Sequence, residues 1–303
     1  MVKLEDSYVP LSQLPEWSDV TPIPQDDGPH PVAPIAYTQE YAEAMDYLRA
    51  VMKARELSSR ALELTEEIVW LNAGHYTAWA YRLDILKHLN VDLYSELDFL
   101  SEFAEVNPKT YQLWHHRQEI VKLLNDPSRE HDFIAKLLAT DSKNFHAWSY
   151  RQWVVTQFNQ WDGELPYVAQ LIDEDVRNNS AWNQRYFVLT RGSTQDLDRD
   201  TLRREIDYCL EKMALAPNNE CPFAYCRGLL KKFGTHDDWL LIRAQLRALG
   251  GVANAGDVAA ARSQYAWGLL LDTEEHLIRE ATEEEGLTAR RAEVRRVRTN
   301  FRV

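Results

Sequence analysis

The stretch NPKTYQLWHHR, residues 107–117, has three gapless counterparts: NAGHYTAWAYR (72–82), DSKNFHAWSYR (141–151) and DVRNNSAWNQR (175–185). Trp79, Trp114, Trp148 and Trp182 stand 35, 34 and 34 residues apart, and Arg82, Arg117, Arg151 and Arg185 each follow three residues later. A fixed period of this size is the mark of a repeat architecture. A fifth, weaker copy ends in PFAYCRGLL (222–230), with Phe223 for Trp and Arg227 as its basic residue. RSQYAWGLLLD (262–272), with Trp267, reads as a sixth. The segments between copies have helical periodicity: Leu93, Leu97, Leu100 and Ala104 share one face, as do Leu165, Val168, Ile172 and Val176. Asp126-Pro127, ahead of SREHDFIAKLL, reads as a helix cap with Pro in the first helical position. Each unit is therefore helix, turn, helix. One hairpin cannot bury its apolar face alone, so neighbours must stack. The predicted fold is all-α, a right-handed solenoid of helical hairpins with a period of about 34 residues.

The flanks differ from the repeats. Residues 1–37 hold five of the 12 prolines between Pro22 and Pro34. Pro fixes φ and removes a backbone donor, so this is expected to be an extended arm, free or laid across a partner. The repeat domain is expected to run over 38–303. Its tail, RRAEVRRVRTNFRV, carries six Arg in 14 residues after an acidic stretch at 280–285. A charged terminal helix closing the solenoid is the expected form of that tail.

Composition narrows the function. With 303 residues, 45% of them hydrophobic, the chain can build a full core. A net charge of −13 argues against nucleic acid or an anionic membrane as partner, because phosphate neutralisation needs clustered Lys and Arg. The first residues lack the apolar core of a signal peptide, and no run approaches the roughly 18 apolar residues of a membrane span. Three cysteines, Cys209, Cys221 and Cys226, form no disulfide framework. Together with His236 they fit no standard pair of zinc-ligand pairs, so buried free thiols are expected. The expected compartment is a reducing cytoplasm.

The repeat columns separate scaffold from chemistry. Trp and Arg three apart share a helix face and recur in every copy. A catalytic group is rarely needed four times, so the pair is structural: the indole fills the space between hairpins, and the guanidinium stacks on it or pairs with a carboxylate. Asn72, Asn107, Asp141 and Asp175, seven before each Trp, are expected to satisfy backbone groups in the turns. The columns between differ from copy to copy. Five before Trp stand Gly74, Lys109, Lys143 and Arg177, and three before stand Tyr76, Tyr111, Phe145 and Asn179. In a stack, equivalent turns form one edge, which would carry Tyr76, Lys109, Tyr111, Gln112, Asn144 and His146. Helix starts there also present N–H groups that favour anions. His115 and His116 point about 100° apart on a helix and suit one metal ion poorly. The nucleotide-binding, nucleophile-elbow and zinc-protease signatures are all missing.

The W-x-x-R core behind an Asn or Asp is similar to the repeat of protein prenyltransferase alpha subunits, over roughly residues 35 to 270. WDGELPYVAQLIDEDVRNNSAWNQRYFV (161–188), with NPKTYQLWHHR and DSKNFHAWSYRQWV, looks like the alpha subunit shared by farnesyltransferase and type I geranylgeranyltransferase. Tetratricopeptide arrays share the period but carry a Gly-Tyr-Ala-Phe-Pro pattern that this chain lacks. Residues 248–264 depart from the family. The resemblance implies a crescent of hairpins wrapped around a beta subunit, with the active site where the two meet. It implies transfer of a farnesyl or geranylgeranyl group from its diphosphate to the thiol of a protein ending in Cys-a-a-X, such as a small GTPase. Zinc, held by the beta subunit, would present the thiolate, and magnesium would accompany the diphosphate. By the same resemblance, Lys109 contacts the diphosphate and Tyr111 stands beside it. Gln112 binds the peptide's terminal carboxylate, Tyr76 lies on the peptide side, and Asn144 and His146 line the cleft. Two other functions stay open: the Rab-type alpha subunit, and a non-catalytic peptide-binding scaffold.

Overall fold

The computed structural model describes residues 8–192, 197–249, 263–280 and 294–295. Residues 250–262 and the Arg-rich tail, apart from two of its positions, lie outside them. The described chain is all-helical: α1 (Gln39–Ala54), α2 (Ser59–Leu71), α3 (Tyr76–Leu89), α4 (Leu93–Val106), α5 (Tyr111–Leu124), α6 (Glu130–Thr140) and α7 (Phe145–Gln157) are followed by α8 (Glu164–Glu174), α9 (Asn179–Arg191), α10 (Arg199–Leu215), α11 (Glu220–Phe233), α12 (His236–Leu249) and α13 (Gln264–Glu280). Packing divides the chain within α7 into two units, Met1–Val154 and Val155–Val303.

In the first unit, α2 packs on α3 and α4 on α5, while α3 touches α5 and α4 touches α6. This is the expected stacking of hairpins, second helix on second helix. Local chemistry sets the boundaries. The Ser58 side chain accepts from Ala61 N at the start of α2, and Asp92 accepts from Tyr94 N at the start of α4. Asn90 and Asn125 end α3 and α5 in the left-handed region, where Asn is tolerated. The start of α6 differs from expectation. The helix begins at Glu130, and Pro127 lies ahead of it. Asp126 is spent elsewhere: its carboxylate accepts from Ser128 N (2.9 Å) and from Tyr94 Oη (2.7 Å).

The repeat columns form a buried ladder. The guanidinium of Arg82 pairs with Glu96 (2.7 Å) and lies 4.4 Å from the Phe99 ring centre. Arg117 pairs with Glu130 (2.7 Å) and lies 3.5 Å from the Phe133 ring. Each arginine thus stacks and pairs at once, but on the ring of the next hairpin's first helix rather than on its own indole. The indole has another task. Nε1 of Trp79 donates to Ala73 O and that of Trp114 to Pro108 O, both at 2.9 Å, so each tryptophan closes the turn before its helix. The same glutamates take a second bond from the second helix of their own hairpin. His116 Nε2 lies 2.9 Å from Glu96, and Tyr150 Oη donates to Glu130 at 2.7 Å. These are buried ion pairs with their remaining lone pairs occupied, the arrangement that makes burial of charge tolerable.

The second unit repeats the pattern and then loses it. Here α8 packs on α9, α10 on α11 and α12 on α13, with α11 touching α9 and α13. Trp182 Nε1 donates to Val176 O (2.9 Å), and Arg185 pairs with Glu205 (2.6 Å) over the Tyr208 ring (4.1 Å). Glu205 also accepts from Tyr225 Oη (2.7 Å), and Gln184 Nε2 donates to Glu164 (2.9 Å). In the fifth copy, Phe223 is buried in the tryptophan column, but the position three later is Cys226, not Arg227. Cys226 is buried, and Arg227, one residue on, pairs with Asp272 (2.5 Å). Burial and the neighbouring Cys226 push the Cys209 thiol well up, so it stays protonated, and neither cysteine is in a disulfide. Cys221 is only half-buried.

The arm is not free along its first part. Two 3-10 turns, Leu11–Gln13 and Pro15–Trp17, bury Leu11 and Trp17. Trp17 packs edge-on against Tyr47 (5.1 Å), and Arg60 lies 5.2 Å from its ring and pairs with Asp19 (2.7 Å). Glu43 accepts from the backbone of Leu11 and Ser12, each at 3.1 Å. Residues 8–23 thus lie on α1 and α2.

Candidate active site

The turn edge of the first unit is built by the ladder behind it. Pro108 O accepts from Trp114 Nε1 at 2.9 Å and from Asn144 Nδ2 at 3.3 Å, so one carbonyl joins two successive turns. Asn144 Oδ1 in turn accepts from His146 N (2.9 Å) and Ala147 N (3.2 Å), capping α7. Asn144 is 2% exposed. It holds the edge together from inside, and its side chain is occupied by protein groups.

That stitching brings the first residues of α5 and α7 side by side. The rings of Tyr111 and His146 meet edge to face, 4.4 Å apart at 89°. Lys109, in the turn before α5, reaches across to the next turn and pairs with Asp141 Oδ2 at 3.2 Å. The Asp141 Oδ1 atom accepts from Lys143 N (3.2 Å), so this aspartate both closes its own turn, as expected, and orients the lysine. Its −7 column does the same turn-closing work at Asn72 and Asp175, which accept from Gly74 N (3.2 Å) and Arg177 N (2.9 Å). Lys109 remains 71% exposed, so the pair is a loose one, easily exchanged for another anion.

Burial and then the Lys109 charge hold the His146 pKa below the ordinary histidine value. The imidazole is therefore neutral at neutral pH and has one donor and one acceptor to offer. The amides of α5 are uncovered, as at α6 and α8 but unlike those of α3, α7, α9 and α11, the second helices of the other hairpins. Thr110 sets no side-chain acceptor over them, whereas His75 caps α3, Asn178 caps α9 and Asn219 caps α11. An exposed cation beside an uncapped helix start, with a phenol and a neutral imidazole adjoining, is suited to an anion that gains charge.

Of the residues expected at this edge, Lys109, Tyr111 and His146 come together. Gln112 is half-buried in the same first turn of α5. Tyr76 starts α3, one hairpin earlier, and is 74% exposed. Sequence reasoning missed two members. Phe145 is exposed and faces His146 at 5.7 Å, and Asp141 is the partner of Lys109. Both could have been found. Phe145 is the third aromatic in the column of Tyr76 and Tyr111, and the −7 column changes from Asn to Asp at 141. His116 is buried in the ladder and His115 is exposed, so the two histidines do not converge. Among the described residues, no group of three or more His, Cys, Asp or Glu could hold a metal ion. None of the described helices is long and apolar enough to cross a membrane.

The protein prenyltransferase alpha subunit repeat matches residues 58–89, 93–124, 127–158 and 161–192. These are the four hairpins from α2 to α9. Over 103 residues the chain is 59% identical to the pea protein farnesyltransferase/geranylgeranyltransferase type-1 subunit alpha, covering 34% of this chain and 31% of that one. The rat geranylgeranyl transferase type-2 subunit alpha is 33% identical over 97 residues, 29% of this chain and 17% of that one. These matched stretches span about a third or less of the curated relatives. A solved structure of Candida albicans protein geranylgeranyltransferase-I complexed with GGPP matches with a TM-score of 0.77 and 30% identity, covering 97% of this chain and 100% of that one.

Proposed function

Since the chain belongs to the protein prenyltransferase alpha subunit family, we propose that it is the alpha half of a heterodimeric, cytoplasmic Cys-a-a-X prenyltransferase. In this reading a farnesyl or geranylgeranyl group passes from its diphosphate to a protein's C-terminal cysteine. The observation that carries it is the cluster of Lys109, Tyr111 and His146 on two stitched turns. The higher identity to the type-1 subunit than to the type-2 subunit supports the free Cys-a-a-X protein as acceptor.

The chemistry asked of this chain is limited and specific. The thiol sulfur forms a bond to C1 of the isoprenoid as the C1–oxygen bond breaks, and the diphosphate leaves with the electron pair. Negative charge grows on the departing oxygens. Lys109 exchanges Asp141 for those oxygens, and its compact ammonium suits them. Tyr111 donates its hydroxyl alongside, and the neutral His146 backs the Tyr111 ring. Gln112 binds the acceptor's terminal carboxylate, and Tyr76 lies on the acceptor side. Asn144 positions the cluster through the turns. In this reading the beta subunit holds the family's zinc, and magnesium accompanies the diphosphate.

The test is transfer of a labelled farnesyl or geranylgeranyl group to a Cys-a-a-X peptide by this chain co-expressed with a beta subunit. Activity that needs both chains and collapses in Lys109→Ala supports the reading. A complex that prenylates only escort-bound Rab proteins would favour the type-2 activity. A chain that binds no beta subunit and moves no lipid would leave a peptide-binding scaffold.

A further inference from the structure

Residues 24–40 are exposed without interruption, a long run for a segment with so much apolar surface. Val32 is fully exposed, Ile35 is 69% exposed and Tyr37 47%. Pro24, Pro29, Pro31 and Pro34 lie in the same run. The hydrogen bonds of residues 26–36 stay local: Gly28 N donates to Asp26 (2.8 Å), Gln25 Nε2 to Asp27 (3.2 Å) and Tyr37 N to Ile35 O (3.1 Å). Gly28, at φ 77°, supplies the left-handed residue of that turn.

Both ends are fixed. At one end, Ile23 N donates to Asp46 O (3.1 Å) and Arg49 Nε to Ile23 O (2.7 Å). At the other, Thr38 caps α1 by accepting from Tyr41 N (3.3 Å). A segment tethered twice and stiffened by proline loses little further entropy when it docks. Apolar side chains displayed on such a segment, with nothing of their own unit over them, mark a surface for a partner.

The tether also joins the segment to the candidate site. Tyr37 packs on Tyr41 (5.3 Å), and Tyr41 Oη accepts from Asn72 Nδ2 (3.0 Å). Asn72 opens the turn that leads into Tyr76. The segment is thus continuous with the turn edge, through Tyr37, Tyr41 and Asn72. We propose that residues 24–37 are a strap that docks into an apolar groove of the beta subunit, extending the interface from the turn edge past the first hairpin. This rests on the heterodimer reading above. The strap anchors the partner and takes no part in the chemistry.

The test compares the intact chain with Val32→Asp/Ile35→Asp, two changes at exposed positions that leave the free chain's melting curve unchanged. Beta-subunit affinity is measured by titration, and amide exchange of residues 24–37 is followed in the free chain and in the heterodimer. The expected result is binding weakened about 30-fold or more, as for loss of an interface anchor. Exchange slows across the strap only in the complex, and kcat is restored once the variant is saturated with partner. Equal affinity, or equal exchange with and without partner, overturns the strap. If the variant instead abolishes self-association of the free chain, the strap's occupant is a second copy and the proposal falls. Failure of the unmodified chain to bind any beta subunit overturns the heterodimer reading, and the strap with it. Lys109→Ala separates the two ideas, because it should bind normally and transfer poorly.

Discussion

Between residues 107 and 117 one short stretch belongs to two regions with opposite rules. Trp114, His116 and Arg117 face inward, buried, and the Trp and Arg columns repeat unchanged through the four hairpins from α2 to α9. Lys109 and Tyr111 face outward and have no such constancy across copies. The ladder solves one problem repeatedly: every turn must be closed and every buried charge matched. The edge is free of that demand, so its residues can be chosen for a ligand. In a repeat protein, repetition marks the scaffold and departure from it marks chemistry.

Breaking the ladder should cost the most. Glu130→Ala leaves the buried Arg117 guanidinium and the Tyr150 hydroxyl without their acceptor. We expect a loss of about 3–5 kcal/mol of stability, seen as an earlier midpoint in urea titration of the free chain. A loss near zero would mean that the ladder is not what holds the hairpins. Breaking the edge should have the reverse signature. Lys109→Ala should reduce kcat of the heterodimer by about 10²–10³, as for removal of a transition-state donor. Its melting temperature should stay put, because an exposed ion pair contributes at most about 1 kcal/mol.

Asn144 sits where the two regions meet, and it sharpens the comparison. Asn144→Ala removes the α7 cap and one bond of the stitch to Pro108. A stability loss of about 1–2 kcal/mol is expected, with a smaller fall in kcat than for Lys109→Ala. The smallest effect concerns pH. Burial lowers the His116 pKa. Burial alone would raise that of Glu96, but its bonds from His116 and Arg82 hold it low. Above about pH 6.5 His116 is neutral folded and unfolded. Below it the unfolded chain binds more protons, so stability falls as pH falls, by up to about 1.4 kcal/mol per unit for this one group. His116→Tyr, the residue found in this column at Tyr150 and Tyr225, should flatten the decline between pH 6.5 and 5 in denaturant midpoints. An unchanged slope would mean that His116 is protonated in the fold.

The helical hairpins were legible because the Trp and Arg columns are rigidly periodic. The acidic half of the ladder was not, although Glu96, Glu130, Glu164 and Glu205 each stand 18 residues before the aromatic of their own hairpin. Glutamates are common on helix surfaces, and only their burial sets these four apart. Arg227 was misassigned to the arginine column for a related reason. Charge draws the eye in a sequence, yet counting three from Phe223 gives Cys226, and the burial of Cys226 shows that it holds the column. Pro127 misled in its turn, since proline marks the approach to a helix as readily as its first residue. At the edge, Lys109, Tyr111 and His146 could be picked as residues of columns that change from copy to copy. Nothing in their order along the chain reveals that Asn144 is turned inward.

By itself the sequence determined the all-helical repeat, the period, and the set of residues free to do something other than hold it together. Those follow from periodicity, a one-dimensional property. The tertiary structure alone decided which side chains meet: the stacking of Arg117 on Phe133, the reach of Lys109 to Asp141, the ring contact of Tyr111 with His146, and the fixing of residues 8–23 on α1 and α2. Each of these joins residues on different helices or turns, many of them some 30 positions apart. Such contacts depend on how one hairpin is set against the next, and that is fixed by the shared carbonyls and buried glutamates between them.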